Sequence, residues 1–586
     1  MSQILRINSI LNKKLKKYIF FIFFIIILTS VLETLSLASF YPLFDLMISG
    51  IETNENNFVK AYYLKFITYL GIEKNFILSF TILLVGILYS LKILILLFCN
   101  WHSVNFEFVM RFFLTKKLYK TYLIKDYQSL MKFNSADIIK NIDYEISVFS
   151  SGISGLMTIL TEGVIFLGIL VFLFYFNFEV TFYLSLFFIL ISVLLQFSYN
   201  KTLVNWGSIS QNFNKLRIQN FIESFNAIKE IKVFGKESLF YEQMDQFNKK
   251  FFNINRKEIF LRNIPRAFLE LILIILISIY LIYFSSKTFD LQNQFANIGI
   301  YLVAAYRIFP SLNRIIISFQ RLKFSKAYID NISSQIIEIE NDNISEIKKK
   351  ETIKKIKLEK NLELKDCTFF FNDKNNLILD KLNIKFEIGK IYGIKGGSGV
   401  GKTTLLNIIA GLIYPKEGSI ILDKKEILKK DIKAYQKNLS YVPQNIFLFD
   451  ASIAENITLN IDYKDDSKNK EIDLLVNHLS LKDKISQLEK GVNTGTGERG
   501  INLSGGQIQR IGIARALFHK PNILILDEAT NAIETKIEES VLNYLHSIKK
   551  DKIIILVAHR DSAFKKCDEI FELQSGKLRS KDLNAR

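Results

Sequence analysis

Two stretches in the second half of the chain carry residues at spacings suited to phosphate chemistry. "GGSGVGKTT", Gly396 to Thr404, follows the strand-like "KIYGIK" and precedes the apolar "LLNIIAGLI". In a strand–loop–helix context, G-x-x-x-x-G-K-[ST] is a phosphate loop. Its glycines let backbone N–H groups turn inward, and the helix N-terminus adds positive potential. Gly396, Gly397, Ser398, Gly399, Val400, Gly401, Lys402, Thr403 and Thr404 are therefore read as a nucleotide cradle. Lys402 would reach the β- and γ-phosphates, and Thr403 would offer its hydroxyl to Mg²⁺. Further on, "NILILDEAT" ends an apolar strand in two carboxylates, Asp527 and Glu528. A strand-end Asp suits a magnesium ligand, and the adjacent carboxylate can polarise an attacking water. Between them, "LSGGQIQR" (Leu503 to Arg510) leads a Ser-Gly-Gly turn into a helix, a second anion-binding geometry. Two phosphate-facing helix starts in one domain make sense if a second copy of the chain completes the site.

The elements that position these residues differ sharply between the halves. From about Asn361 the pattern is of short β-branched runs, turns and helices, as in an α/β domain. The first half is built for lipid. Across 586 residues the hydrophobic fraction is 49%, with 51 Phe, yet 23% of residues are charged, so apolar and polar material must be segregated. Six stretches are long and apolar enough to span a bilayer: roughly 18–44, 75–99, 153–176, 179–199, 267–286 and 296–318. "YFNFEV" leaves almost no loop between the third and fourth, which predicts a tight helical hairpin. The first span has a basic start, but its apolar run from Tyr18 outlasts a signal-peptide core and is read as uncleaved. Lys and Arg collect in the N-terminus and in the second-to-third and fourth-to-fifth connections, which places both termini in the cytoplasm; the expected location is an inner (plasma) membrane. Those connections keep helical apolar spacing, so helices are expected to project past the membrane. The predicted domains are 1–330 (six-span membrane domain), 331–355 (polar linker) and 356–586 (α/β P-loop nucleotide-binding domain).

Composition also excludes some functions. A net charge of +19 is explained by cytoplasmic loops, and no nucleic-acid recognition module accompanies it. Cys99, Cys367 and Cys567 are far apart and lack metal spacing. His102, His478 and His519 fit no motif and are expected to pack or lie at the surface.

The phosphate loop, "YVPQN", "TGERG", "LSGGQ", "LDEAT" and "VAHR", in that order, resemble the nucleotide-binding domain of ABC transporters; the six preceding spans resemble the exporter type. The resemblance implies an ATPase acting as a homodimer, with ATP and Mg²⁺ as cofactors. It implies that Phe371 stacks on adenine, that Gln444 senses the metal and the attacking water, and that His559 holds the γ-phosphate and positions Glu528. Ser504, Gly506 and Gln507 would contact ATP bound to the other protomer. Coupling helices are implied around Ser129–Ala136 and Glu223–Lys232. One departure stands out: where the family usually has Ser-Ala-Leu-Asp after "LDEAT", this chain has Asn531, Ala532, Ile533 and Glu534. Glu534 keeps the charge but changes its reach.

Finally, "YRIFPSLNRIIISFQRLK" sets Arg307, Arg314 and Arg321 seven residues apart at the end of an apolar run. Arg307 falls near mid-membrane and Arg314 near the inner leaflet, while Arg321 and Lys323 belong to the cytoplasmic end. Glu33, Lys92, Glu162, Arg266 and Glu270 share similar depths. Such charges face a bundle interior or a watery cavity. They either pair internally, as Arg266 could with Glu270 one turn away, or, as Lys92, Arg307 and Arg314, line a site for an anionic head group. "NIPRAFLELI" and "YRIFPSLNRIIISF" further resemble bacterial lipid-linked oligosaccharide flippases, which would imply a polyprenyl-pyrophosphate glycan as cargo. Lipid A or phospholipid flippases and multidrug or peptide exporters are the alternatives.

Overall fold

The structure is a computed structural model that describes residues 10–49, 63, 65–67, 69–131, 133–176, 178–285, 291–343, 354–370, 377–460, 469–497 and 500–581. The chain divides into two compact units, one helical and one α/β.

The helical unit is built from α1 (Lys13–Ala38), α2 (Phe40–Ser49), α3 (Ile77–Ile124), α4 (Ile146–Phe176), α5 (Phe178–Asn226), α6 (Glu237–Ser285), α7 (Leu291–Phe324) and α8 (Lys326–Asn343). α3, α5 and α6 run for 48, 49 and 49 residues. At ~1.5 Å per residue each is about 70 Å long, against a hydrocarbon core of about 30 Å. They therefore extend well beyond any membrane they cross. A single position separates α4 from α5, the hairpin that "YFNFEV" predicts. Among the described residues, four segments are long and apolar enough to span a membrane: Lys13–Phe44, Ile77–Ile124, Ser135–Tyr175 and Leu302–Phe324. The spans expected at 179–199 and 267–286 lie within α5 and α6, where many side chains fall outside the described residues, so the count of six stays an expectation. Short helices occupy the connections where coupling helices are implied: Tyr127–Leu130 and Ser135–Lys140 after α3, and Ile228–Phe234 after α5.

The linker expected from residue 331 is instead helical to Asn343. "AYIDNISSQIIEI" is polar in composition, but Ile329, Ile332 and Ile336 recur at helical spacing and bury in one core with α1, α3 and α4. Pattern outweighs composition there.

Where the chain enters α4 it makes a wider turn, Asn141–Glu145, with i to i+5 hydrogen bonding. Glu145 is fully buried in it and meets Lys140 Nζ at 2.9 Å. Gln211 of α5 and Asn331 of α8 donate to the same carboxylate at 2.9 and 2.5 Å.

The α/β unit has a six-stranded sheet in the order β10 (Lys577–Lys581), β9 (Glu569–Gln574), β3 (Ile391–Lys395), β8 (Ile553–Val557), β7 (Ile523–Asp527), β6 (Leu439–Val442). β9, β3, β8, β7 and β6 run parallel, and β10 is antiparallel to β9. "ILILD" and "IIILV" are buried at every position, the continuous apolar runs of strands covered on both faces. A four-stranded antiparallel sheet, β2 (Leu379–Glu387), β1 (Asn361–Phe369), β4 (Glu417–Leu422), β5 (Lys425–Glu426), carries the remaining strands. Cys367 and Cys567 are buried free thiols, and burial pushes them up to about 11 and about 12.

Candidate functional site

Parallel pairing lines up the C-terminal ends of four neighbouring strands, where ligands of open α/β sheets bind. Val442 pairs with Leu526, Asp527 with Val557, and Ile394 with Val557. The residues that leave those ends are the phosphate loop after β3, Gln444 after β6, Glu528 after β7 and His559 after β8. The sheet register alone thus gathers four motifs that are up to 163 positions apart in sequence (559 − 396).

The loop from Gly396 to Gly401 closes on α9 (Lys402–Ile409). Gly399 and Gly401 have φ of +78° and +105°, and a Cβ on Gly401 would sit 2.9 Å from Ile378 Cγ2. Both conformation and space demand glycine at 401. Lys402 folds back over the loop and donates to the carbonyls of Gly396 and Gly397 at 2.8 and 2.9 Å. Ser398 and Thr403 are exposed, Val400 and Thr404 are half-buried, and Gly397 is open to solvent, so the cradle presents polar groups and backbone outward. Phe371, the expected adenine platform, lies outside the described residues.

Asp527 is buried and accepts a hydrogen bond from the Tyr441 hydroxyl at 3.0 Å. Burial pushes its carboxyl above the usual range, and the Tyr441 bond only partly offsets this. A buried strand-end carboxylate and the exposed Thr403 hydroxyl at the start of α9 are the kind of oxygen donors a small hard cation such as Mg²⁺ takes. Glu528 adopts φ +52°, a sharp left-handed step out of β7. Its Oε1 lies 2.7 Å from His559 Nε2, and its Oε2 accepts from Gln444 Nε2 at 2.8 Å. The three residues expected to act together are thus in contact. Oε2 also accepts from Asn531 Nδ2 at 3.0 Å.

The Ser-Gly-Gly turn opens α10 (Gly505–Phe518). Ser504 Oγ accepts from the Gln507 N–H at 3.3 Å while Gln507 Oε1 accepts from the Ser504 N–H at 2.9 Å, a reciprocal cap. A Cβ on Gly506 would sit 2.8 Å from the Ala532 carbonyl, so this helix start is seated on the turn that follows Glu528.

In the helical unit, Lys92, Arg307 and Arg314 form one network with Glu33 and Glu162. Glu33 of α1 is fully buried and meets Lys92 Nζ of α3 at 2.8 Å and Arg307 Nε of α7 at 2.5 Å. Glu162 of α4 meets Arg314 Nε at 2.9 Å and Arg307 Nη1 at 3.8 Å, and accepts from Ser311 Oγ at 2.7 Å. Lys92 also lies 4.0 Å from the Tyr89 ring centroid. Arg266 and Glu270 pair at 2.8 Å in an exposed position. The cations are therefore internally paired, and among the three candidates only the Arg314 side chain keeps substantial exposure, 45% against 6% for Lys92 and 11% for Arg307.

Comparison with known proteins decides the family. Residues 379–531 match the family described as ABC transporter, and residues 19–308 match the ABC transporter transmembrane region. An ATP-dependent lipid A-core flippase of Wigglesworthia glossinidia brevipalpis is 30% identical over 468 residues, 76% of each chain. The chain belongs to the ABC transporters. An ATP-dependent lipid A-core flippase of Yersinia pestis is 28% identical over 77% of this ABC transporter and 76% of its own length. A heterocyst differentiation ATP-binding protein, HepA, of Nostoc is 27% identical over 76% and 71%. The structure of a bacterial Atm1-family ABC exporter with ATP bound superposes with a TM-score of 0.76 over 96% of this chain and 95% of the other at 19% identity, which shows the shared fold.

This ABC transporter is an exporter-type half-transporter: a membrane helical domain followed by an ATP-binding domain that hydrolyses ATP to drive transport. Two residues that touch its carboxylates carry no role from the motifs. Tyr441 was visible as the first letter of "YVPQN", and Asn531 as a departure from the family pattern, but neither contact follows from spacing. His478 stacks on Tyr544 at 4.2 Å and His102 lies 2.9 Å from the Tyr18 hydroxyl, packing roles in both cases.

Proposed function

We propose that this ABC exporter flips a lipid with an anionic head group from the inner to the outer leaflet, and that its cargo is a polyprenyl-pyrophosphate glycan. The observation that carries the reading is the Arg314–Glu162 pair. It is the half-exposed end of a network holding three cations, Lys92, Arg307 and Arg314, against two carboxylates, Glu33 and Glu162. The surplus charge is positive, and a guanidinium fork suits phosphate oxygens better than a point charge does. Arg314 makes the first contact; Lys92 and Arg307, held by Glu33, supply the field behind it. The names of the relatives favour a second reading, a lipid A-core glycolipid, whose head group is also anionic. An exporter of cationic drugs is disfavoured by the same surplus.

Two copies of the chain assemble so that Ser504, Gly506 and Gln507 of one face the ATP held by Gly396–Thr404 of the other. Asp527, Thr403 and Gln444 would hold Mg²⁺, which would neutralise phosphate charge. Glu528 orients the attacking water, and His559 holds the γ-phosphate. Both termini and the ATP-binding domain face the cytoplasm of the inner membrane.

The test is ATP-dependent flipping in proteoliposomes carrying either a labelled polyprenyl-pyrophosphate glycan or a labelled lipid A-core glycolipid. Flipping of the first, lost in Arg314→Ala with ATPase activity kept, supports the proposal. Flipping of the second alone transfers it to the lipid A reading. Flipping of neither by a protein that hydrolyses ATP overturns both.

A further inference from the structure

We propose that Asn531 is a positioning residue for ATP hydrolysis: its side-chain amide fixes Oε2 of Glu528 so that Oε1, which also meets His559, turns its remaining lone pair to the attacking water. Glu528 accepts from three side chains, and the three are not held alike. Gln444 sits in an exposed loop, and the His559 side chain is 50% exposed. Both also serve groups that arrive with nucleotide, Gln444 the metal and His559 the γ-phosphate, so each divides its polar atoms between Glu528 and the ligand. Asn531 has no such second duty, and its backbone is pinned.

The pinning comes from α10. Gln509, itself buried, donates from Nε2 to the Glu528 carbonyl at 3.4 Å and accepts at Oε1 from the Ala532 N–H at 2.8 Å. One glutamine thus ties both ends of the turn that starts at Glu528 and contains Asn531. Within the turn the Asn531 N–H reaches the Glu528 carbonyl at 3.3 Å, and the Ile533 N–H reaches Thr530 at 3.0 Å. The left-handed φ of Glu528 sends the chain back on itself, which is why a residue three positions on can reach the carboxylate at all. The orientation of the amide is set by chemistry: an ionised carboxylate only accepts, so the group 3.0 Å from Oε2 is the NH₂. A serine here, the residue usual in the family, ends one bond closer to the backbone and reaches less far toward Oε2. The arrangement is therefore particular to a chain with Asn at this position.

The experiment is steady-state ATP turnover of the full-length protein in nanodiscs for Asn531→Asp, Asn531→Ser and Asn531→Gln. Asn531→Asp keeps volume but swaps the donor for a like charge. Its kcat is expected to fall about 100-fold, and that of Asn531→Ser about 10-fold, the range for losing a hydrogen bond to a charged group. Asn531→Gln, which keeps the amide on a longer arm, is expected to retain more of the native kcat than either. The KM for ATP and the melting temperature stay at native values in all three. Native kcat in Asn531→Asp would overturn the proposal. So would losses that track volume rather than the amide, or that appear as raised KM or a lowered melting temperature.

Discussion

Glu528 and Glu33 are both buried carboxylates that accept from more than one partner, yet they serve opposite ends. Glu528 is surrounded by amides and an imidazole, from Gln444, Asn531 and His559, at 2.8, 3.0 and 2.7 Å. Two of those partners reach it from exposed positions. Glu33 is clasped by basic side chains, Lys92 and Arg307, at 2.8 and 2.5 Å, which are almost as buried as it is. Amide donors carry no formal charge, so Gln444 and Asn531 orient the Glu528 carboxylate without pairing it to a cation. Cations cancel the charge, so Glu33 is spent on holding α1, α3 and α7 together. The charge on the partner, more than depth, separates a reactive carboxylate from a structural one.

The comparison breaks most visibly at Glu528. Glu528→Gln is expected to cut ATP turnover by about 10³-fold, within the range for removing a general base, while nucleotide binding persists; phosphate release and binding of a fluorescent ATP analogue measure the two. A fall of tenfold or less would mean the carboxylate is as structural as Glu33. Next in size is Glu33→Ala. Leaving Lys92 and Arg307 buried without their partner is expected to cost about 3–5 kcal/mol, seen as a marked drop in the melting temperature of the helical unit. ATP binding to protein that remains folded should be unchanged. Glu162→Gln sharpens the contrast from within the network: Arg314, being half-exposed, can turn to water, so the expected cost is smaller, about 1–3 kcal/mol. The smallest effect belongs to the exposed Arg266–Glu270 pair, where Arg266→Ala is expected to shift stability by at most ~1 kcal/mol and less in high salt. Equal losses for Arg266→Ala and Glu33→Ala would overturn the reading of Glu33 as a buried clasp.

The ATP site was legible because its chemistry is local. A phosphate loop needs its glycines, lysine and threonine within nine consecutive residues, Gly396 to Thr404, and parallel strands "ILILD" and "IIILV" announce themselves by unbroken apolar runs. The fold class followed from the same contrast between lipid-length runs and short strands. The charges in the helical unit were visible as anomalies, but their pairing was not: Arg307 and Glu33 are 274 positions apart, and only packing of α7 against α1 makes them partners. Depth estimates could place them at one level of a bilayer without showing which faced which. The helical α8 was the reverse case. Its signal, Ile329, Ile332 and Ile336 at helical spacing, was present but lay beneath a polar composition that suggests a linker. Asn531 stood out as a departure, yet its contact depends on the left-handed φ of Glu528, which no residue type at that position announces.

The wide turn at Asn141–Glu145 sets the rotational phase of everything that follows it on α4. An α-helix advances about 100° per residue, and a π-turn absorbs one extra residue without lengthening the axis by a full step. Glu162 looks toward Arg314 because that extra residue has already been counted. Straightening these five residues into a regular helix without removing one would turn Glu162 away from its present direction toward α7. Glu145, buried within the turn and held from α5 and α8, would lose its place at the same moment. A five-residue irregularity thus acts as a vernier, and its setting is read more than four helical turns away.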